Sequence, residues 1–179
     1  KITTEQKDNL DLSSWTLAFN GSEPVREVTL RRFVDTFSRC GFRQDAFFPC
    51  YGLAENTLFA TGARQVFKPN EGMIDVHAPQ LQGDLGRRVS CGHAMDDHAV
   101  CIVDPETGLT CADGVEGEIW IAGPSVTLGY WNRTQTTEVV FRARLRDEAV
   151  DVNGISDTRN RQMEFLRTGD LGFVERDQL

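Results

Sequence analysis

Residues 49–62 read PCYGLAENTLFATG. A Tyr-Gly pair, one carboxylate (Glu55) and two hydroxyls (Thr57, Thr61) interrupt an otherwise apolar run. Burying an unpaired carboxylate costs several kcal/mol or forces it neutral. Glu55 therefore needs a partner, either inside the fold or from a ligand or metal.

Working upstream, AFFPCYG (46–52) reads as a short apolar strand broken by Gly52. Before it, VREVTLRRFVDTFSRCGF (25–42) places Leu30, Phe33, Val34 and Phe37 at the i, i+3, i+4, i+7 spacing of a buried helix stripe. Pro24 suits the approach to its first turn and Gly41 its C-terminal cap. Earlier still, SSWTLAFNGSEP (13–24) alternates Trp15, Leu17 and Phe19 against Thr16 and Ala18, a strand that ends in the turn NGSEP. Strand, helix, strand is an α/β unit, and such folds bind ligands at loops leaving the C-terminal ends of their strands. NGSEP and YGLAEN both leave strands at that edge, so they are expected to line one crevice.

Downstream, residues 63–88 lack clear periodicity and read as an inserted excursion, long enough to suggest a function or a docking surface. From Val89 the texture turns to β. AVCIVDPETG (99–108) is a strand and turn. GEIWIAGPSVTLGYW (117–131) sets Glu118, Trp120 and Ala122 against Ile119 and Ile121, then reaches Gly-Pro and a second extended piece. Short strands with Gly/Pro punctuation predict a small β-barrel or sandwich. The charged run 142–164 reads as a solvated loop, and FLRTGDLGFVERDQL (165–179) as strand, turn, strand around Gly169-Asp170.

The chain has 179 residues, ordinary apolar content and a formal net charge of −8, which disfavours sequence-independent binding to nucleic acid. No apolar run approaches the ~20 residues of a membrane span. The first residues are polar and do not resemble a signal peptide, so a cytoplasmic location is expected. There is no initiator Met, and the chain reads as an excised piece of something longer. Five cysteines without a C-x-x-C read as reduced thiols, and His77, His93 and His98 as surface or structural residues. Neither a Walker A motif, a G-x-G-x-x-G nor a G-x-S-x-G occurs, which argues against a P-loop ATPase, a Rossmann dehydrogenase and an esterase.

Three junctions carry glycine and polar groups together: NGSEP (20–24), YGLAENT (51–57) and RTGD (167–170). Tyr51 offers a face for stacking on a base. Glu55 suits Mg²⁺, which prefers carboxylate, water and substrate phosphate together. Asp170 suits vicinal ribose hydroxyls. Each has a plainer alternative: strand-end packing for Tyr51, a structural ion pair for Glu55, a turn residue for Asp170.

In their order and spacing, FNGSEPV, PCYGLAENTLFATG, GEIWIAGPSVTLGYW and FLRTGDLGF resemble the adenylate-forming superfamily, and most closely its fatty acyl-AMP ligases. The wording before the NGSEP turn, Ala54 in YGLAE and the excursion at 63–88 point to that branch. The resemblance covers essentially the whole chain. It implies the second half of a large N-terminal domain. Residues 1–62 would end an α/β subdomain, 63–88 would be the ligase insertion, and 89–179 a distorted β-barrel subdomain ending at RTGD.

It also implies roles. Gly21, Ser22 and Glu23 would wall the adenine and Tyr51 would stack on it. Gly52, Leu53 and Ala54 would pass beside the adenylate phosphate and acyl carbonyl. Glu55 would coordinate Mg²⁺ on the phosphates of ATP, and Asp170 would hold the ribose. The implied reaction joins a fatty acid to AMP, with transfer to an acyl carrier protein, often of a polyketide or peptide synthase. The phosphate loop and the small C-terminal domain with its Lys are absent from these residues, so the fragment is expected to be inactive alone. An acyl-CoA ligase and a noncatalytic nucleotide- or carrier-binding module are the alternatives.

Overall fold

A computed structural model of the chain describes residues 2–64, 75–76, 88–146 and 163–179. Most of the 63–88 excursion and of the 142–164 charged run lies outside the described residues.

A short helix, α1 (Thr4–Asp8), opens with a capping box made by Thr3 and Gln6. Strand β1 (Ala18–Asn20), helix α2 (Glu27–Phe37) and strand β2 (Phe47–Tyr51) follow, and β1 pairs with β2 in parallel. The expected α/β unit is therefore present. Its core joins Leu30 of α2 to Ala18, Phe42, Ala46 and Phe47, with Phe33, Val34 and Phe37 packed against them, so the stripe read from the spacing is the buried one. Beyond α2 a 3-10 turn at Ser38–Cys40 leads to Gly41, which takes a left-handed conformation (φ +84°) and donates its N–H to Ser38 C=O.

The first strand is shorter than the alternation over 15–19 suggests. β1 is only three residues long, and its buried residue is Ala18, whereas Phe19 faces out and packs on Phe48 with ring centroids 4.9 Å apart. Trp15 precedes the strand and meets Phe33 and Phe42 edge-on. A three-residue strand crossing a helix-covered sheet buries small residues against the helix; the aromatic alternation here belongs partly to the approach segment.

Strands β3 (Thr61–Gly62), β4 (Asp75–Val76), β5 (Arg88–Val89) and β6 (His93–Ala94) are two residues each. β3 and β6 extend the first sheet in the order β1-β2-β3-β6, and β4 pairs with β5. β7 (Ala99–Val103), β8 (Gly117–Ala122) and β9 (Leu166–Gly172) form an antiparallel sheet with β8 central. Both faces of β7 and β8 are buried. Ala99, Cys101, Val103, Trp120 and Ala122 meet Phe165 on one side, while Val100, Ile102, Ile119 and Ile121 pack with Tyr51 and Leu53 on the other. That second face is what fixes the β-sheet against the α/β unit. Among the described residues the strands do not close into a barrel.

The segment after Gly123-Pro124 is not extended as expected. It turns and enters helix α3 (Thr134–Phe141). Its Thr-rich start, TQTT, has low helix propensity, so packing rather than local preference fixes it.

Candidate functional site

The YGLAENT segment leaves β2 as a tight turn. Residues 54–56 form a single 3-10 turn, and Thr57 and Leu58 follow with φ of +51° and +86°. Left-handed backbone at two consecutive non-glycine residues is strained, at a cost of about 1–3 kcal/mol each. Local hydrogen bonds hold it: Asn56 and Leu58 N–H to Leu53 C=O, and Thr57 N–H to Ala54 C=O. Gly52 is required by space, because a Cβ there would stand 1.6 Å from the Leu58 carbonyl oxygen.

The partner that Glu55 needs lies inside the fold. Its side chain is half-buried, and Oε1 accepts a hydrogen bond of 2.7 Å from the Tyr130 hydroxyl. The fully buried polar residue of the motif is its neighbour Asn56. Tyr130 is in turn set by α3: its N–H bonds to Thr137 Oγ1 (3.0 Å) and its ring meets Phe141 edge-on at 5.1 Å. The hydrogen bond to Glu55 raises the Tyr130 phenol, with burial adding to it. Sequence reasoning passed over both Asn56 and Tyr130. The aromatic of LGYW was a visible signal, but nothing in the chain order ties it to Glu55.

Tyr51 and Asp170, 119 positions apart, meet directly: the Tyr51 hydroxyl donates to Asp170 Oδ2 at 2.8 Å. Burial pushes the phenol well up. The Thr168 hydroxyl pulls it the other way, while Asp170, then Glu55, add to the rise. Asp170 owes its place to β8. Glu118, buried on that strand, receives Arg167 Nη2 at 2.8 Å and Nε at 3.1 Å on Oε2, and the Gly169 N–H at 3.1 Å on Oε1. Arg167 also lies over the Trp120 ring, 5.5 Å from its centroid. Burial would raise the Glu118 carboxyl, but the hydrogen bonds from Arg167 and Gly169 outweigh it and hold the group below its usual range. Thr168 Oγ1 donates to Ile119 C=O and accepts from the Asp170 N–H. Glu118 and Arg167 are thus site-shaping residues that the sequence did not reveal, because their pairing spans 49 positions.

Ser22, Glu23, Tyr51, Gly52 and Asp170 line one cleft of about 390 Å³, together with Cys50, Cys91 and apolar residues including Ile119 and Val89. Gly21 and Glu23 line an adjoining hollow with Asn20, whose Oδ1 is buried and finds no hydrogen-bond donor among the described residues. Leu53 is packed into the core between the two units, and Ala54 is exposed at the turn. Leu53, Ala54 and Glu55 are not among the cleft's lining residues, although Glu55 is near enough to raise the Tyr51 phenol. Of the nine residues singled out in the sequence, five share the cleft, Gly21 borders it, and the other three form the turn beside it.

The chemistry of this lining is specific. Among the described residues it carries two side-chain carboxylates and no Lys or Arg. Such a wall suits hydroxyl and amino donors, as on ribose and adenine, and does not suit bare phosphate. Asn20 Oδ1 is a free acceptor of the same kind. Glu55, on the turn outside, offers the single carboxylate that a hydrated Mg²⁺ can use when water and phosphate complete its shell. Among the described residues no three His, Cys, Asp or Glu side chains gather into an all-protein metal cage.

Comparison with known proteins agrees with this chemistry. The family described as AMP-binding enzyme matches residues 1–131. The medium-chain-fatty-acid–[acyl-carrier-protein] ligase JamA of Moorena producens is 39% identical over the whole chain, and the putative fatty-acid–CoA ligase fadD25 of Mycobacterium tuberculosis is 34% identical. The fatty acid AMP ligase of Legionella pneumophila superposes over the whole chain with a TM-score of 0.79 at 38% identity. A second L. pneumophila structure, solved with acyl adenylate and pyrophosphate, gives 0.77 at 36%. The chain spans about 30% of the length of each of these proteins. This chain belongs to the AMP-binding enzyme family, the adenylate-forming ligases, and is a part of that fold with fatty-acid ligases among its relatives.

Proposed function

We propose that this chain supplies the adenine, ribose and metal subsites of a ligase that activates a fatty acid with ATP and hands it to an acyl carrier protein. The fatty carboxylate oxygen attacks the α-phosphorus of ATP, the bond to the bridging oxygen of the β-phosphate breaks, and pyrophosphate leaves. Both reactants are anions, so the protein's part is positioning and charge management. Tyr51 stacks on adenine, with Gly21, Ser22 and Glu23 as the wall beside it. Asp170 accepts from the ribose hydroxyls, exchanging the Tyr51 hydroxyl for them. Gly52, Leu53 and Ala54 keep backbone beside the adenylate. Glu55 holds Mg²⁺, which when bound neutralises the phosphates.

The observation that carries this reading is the 2.8 Å contact between Tyr51 and Asp170 at a cleft they share with Ser22 and Glu23. Motifs read separately for base and sugar converge on one nucleotide-sized site. The names of JamA and the Legionella enzyme support the acyl-AMP product and the carrier-protein acceptor. The 63–88 segment would be the insertion that limits the domain rotation CoA transfer needs. A cytoplasmic location fits a ligase of this kind, and among the described residues no helix is long and apolar enough to cross a membrane.

The test is calorimetric titration of the full-length protein with a non-hydrolysable acyl-adenylate mimic, beside ATP–pyrophosphate exchange. Glu55→Gln should abolish exchange, and Asp170→Ala should remove mimic binding. Absence of binding by the unmodified protein would sink the nucleotide site in favour of a scaffold. The 179 residues alone are expected to show no exchange. The CoA-ligase name of fadD25 keeps a second product open; stoichiometric acyl-CoA formed when CoA is added would favour it.

A further inference from the structure

Behind the Glu55 turn runs a chain of polar side chains that does not line the nucleotide cleft. Asp97 Oδ1 lies 2.7 Å from His98 Nδ1, and His98 Nε2 lies 2.5 Å from Ser125 Oγ. Ser125 Oγ donates to Asn56 Oδ1 at 3.0 Å, and Asn56 Nδ2 donates to Phe59 C=O at 2.9 Å. His98 and Asn56 are both buried.

Counting protons along this chain leaves one consistent arrangement. The carbonyl of Phe59 can only accept, so it fixes the Asn56 amide with its NH₂ toward residue 59. Asn56 Oδ1 must then take the single proton of Ser125. Toward His98, Ser125 is therefore an acceptor, and Nε2 must carry a hydrogen. Nδ1 faces an ionised carboxylate, which also only accepts. In that arrangement Nδ1 donates to Asp97 and Nε2 to Ser125. Gly123 makes room for it, because a Cβ there would stand 2.3 Å from the ring's Cδ2.

The same loop is stitched to the Glu55 turn through the backbone. Thr57 Oγ1 donates to Ser125 C=O at 2.6 Å, and the Thr127 N–H donates to Glu55 C=O at 2.8 Å. Ser125 is thus gripped at its side chain by His98 and Asn56 and at its carbonyl by Thr57.

We propose that His98 is a positioning residue for the metal-binding turn. Held by Asp97, it orients Ser125, and through Ser125 and Asn56 it fixes the strained backbone that aims Glu55. The proposal rests on Glu55 serving Mg²⁺, as argued above. The Asp-His-Ser order resembles a nucleophile relay, but such a relay needs a free imidazole lone pair to take the serine proton. Here the ring has none, and the proton is committed to buried Asn56.

The test uses the full-length protein with His98→Leu and His98→Gln, since a Gln amide can still donate to Ser125. His98→Leu should raise the Mg²⁺ concentration for half-maximal ATP–pyrophosphate exchange about 10-fold, with the fatty-acid KM changed less than about twofold. His98→Gln should recover most of the loss. Two readouts do not need activity: ¹⁵N-histidine spectra should show both ring nitrogens of His98 protonated, and the Thr127 amide should exchange hydrogen faster in His98→Leu. Should His98→Leu fail to fold, Ser125→Ala cuts the same chain and should give the same Mg²⁺ shift.

Unaltered Mg²⁺ dependence in a folded variant, no recovery with Gln, or a bare ring nitrogen would overturn the proposal. So would labelling of Ser125 by a fluorophosphonate. If the unmodified protein shows no exchange at any Mg²⁺ concentration, the ligase reading fails instead. The ring spectra and Thr127 exchange then still decide whether His98 holds the turn.

Discussion

The two carboxylates of the site are held in opposite ways. Asp170 sits on β9, hydrogen-bonded into a sheet whose central strand is buried on both faces, and the ion pair of Glu118 with Arg167 locks its turn from beneath. Glu55 sits outside any sheet, on one 3-10 turn followed by left-handed backbone, and is held by the Tyr130 hydroxyl and the Thr127 amide of the 123–130 loop, whose Ser125 carbonyl accepts from Thr57. The side proposed for ribose is built rigid by burial. The side proposed for the metal is built from single polar contacts, which a ligand can trade for its own.

This contrast is tested most severely by Arg167→Ala. It leaves Glu118 buried without its cation, and such unpaired buried charges cost about 3–5 kcal/mol. Urea unfolding should show the loss, and mimic binding should fall with it because the 167–170 turn loses its anchor. The pH dependence sharpens the point. The Glu118 carboxyl is depressed in the fold, so its contribution is present above the ordinary glutamate range and is lost as pH falls through its folded value. In Arg167→Ala that acid-side loss should shrink. An unchanged urea midpoint would mean that the ribose side is not held by this pair.

On the metal side, Asn56→Ala removes a fully buried amide and strands the Ser125 hydroxyl and the Phe59 carbonyl. Two part-buried hydrogen bonds are lost, at about 1 kcal/mol each. The effect should be smaller than that of Arg167→Ala in urea but should appear in the Mg²⁺ dependence of exchange, where the Arg167 change should not act selectively.

The same division separates what the sequence revealed from what it hid. The α2 stripe, the Gly41 cap and the strand at 117–122 are local patterns, set by residues within a turn or a strand of one another. Tyr51, Asp170 and Glu55 were legible as motif residues for the same reason. Their holders were not. Glu118 finds Arg167 across 49 positions, Tyr130 finds Glu55 across 75, and Ser125 finds Asn56 across 69. Pairings of that span depend on how sheets pack, which no periodicity encodes. Helix α3 stayed hidden for a related reason: its Thr-rich start gives no helical signal, and it forms because Phe141 is buried and Thr137 receives Tyr130. Strand β1 is shorter than the alternation from Trp15 suggests, because that alternation begins in the approach segment, where Trp15 packs on Phe33 and Phe42.

Cys91 offers a milder test from within the cleft. Burial, with Cys50 nearby, pushes its thiol up to about 11. A raised value in the fold means that the unfolded chain ionises first. Its contribution is whole below the ordinary thiol range and drains away as pH climbs from about 9 through about 11. Cys91→Ala should flatten that alkaline decline, read as urea midpoints at several pH values. A decline equally steep in the variant would assign it to other groups held above their ordinary values, the Cys50 thiol and the Tyr51 phenol among them.

The gentlest probe is Tyr130→Phe, which deletes one hydroxyl and keeps the ring against Phe141. The bond it removes is partly exposed, so the stability cost should be about 1 kcal/mol or less. Its value is in the sign of the functional effect. In the free protein the Tyr130 hydroxyl occupies Glu55 Oε1, the carboxylate assigned to the cation. If the hydroxyl only satisfies Glu55 until Mg²⁺ arrives, removing it frees the carboxylate, and Mg²⁺ should saturate exchange at a lower concentration. If instead the hydroxyl aims the carboxylate, saturation should need more. The polar, exchangeable character of the metal side favours the first outcome: a ligand that must be admitted and released each turnover is better served by a partner that yields. The rigid side permits the matching control, since Tyr51→Phe removes the hydroxyl from Asp170 while Glu118 and Arg167 keep that turn in place. Mimic binding there should be retained or tightened, and a loss would show that Tyr51 and Asp170 act on the ribose together.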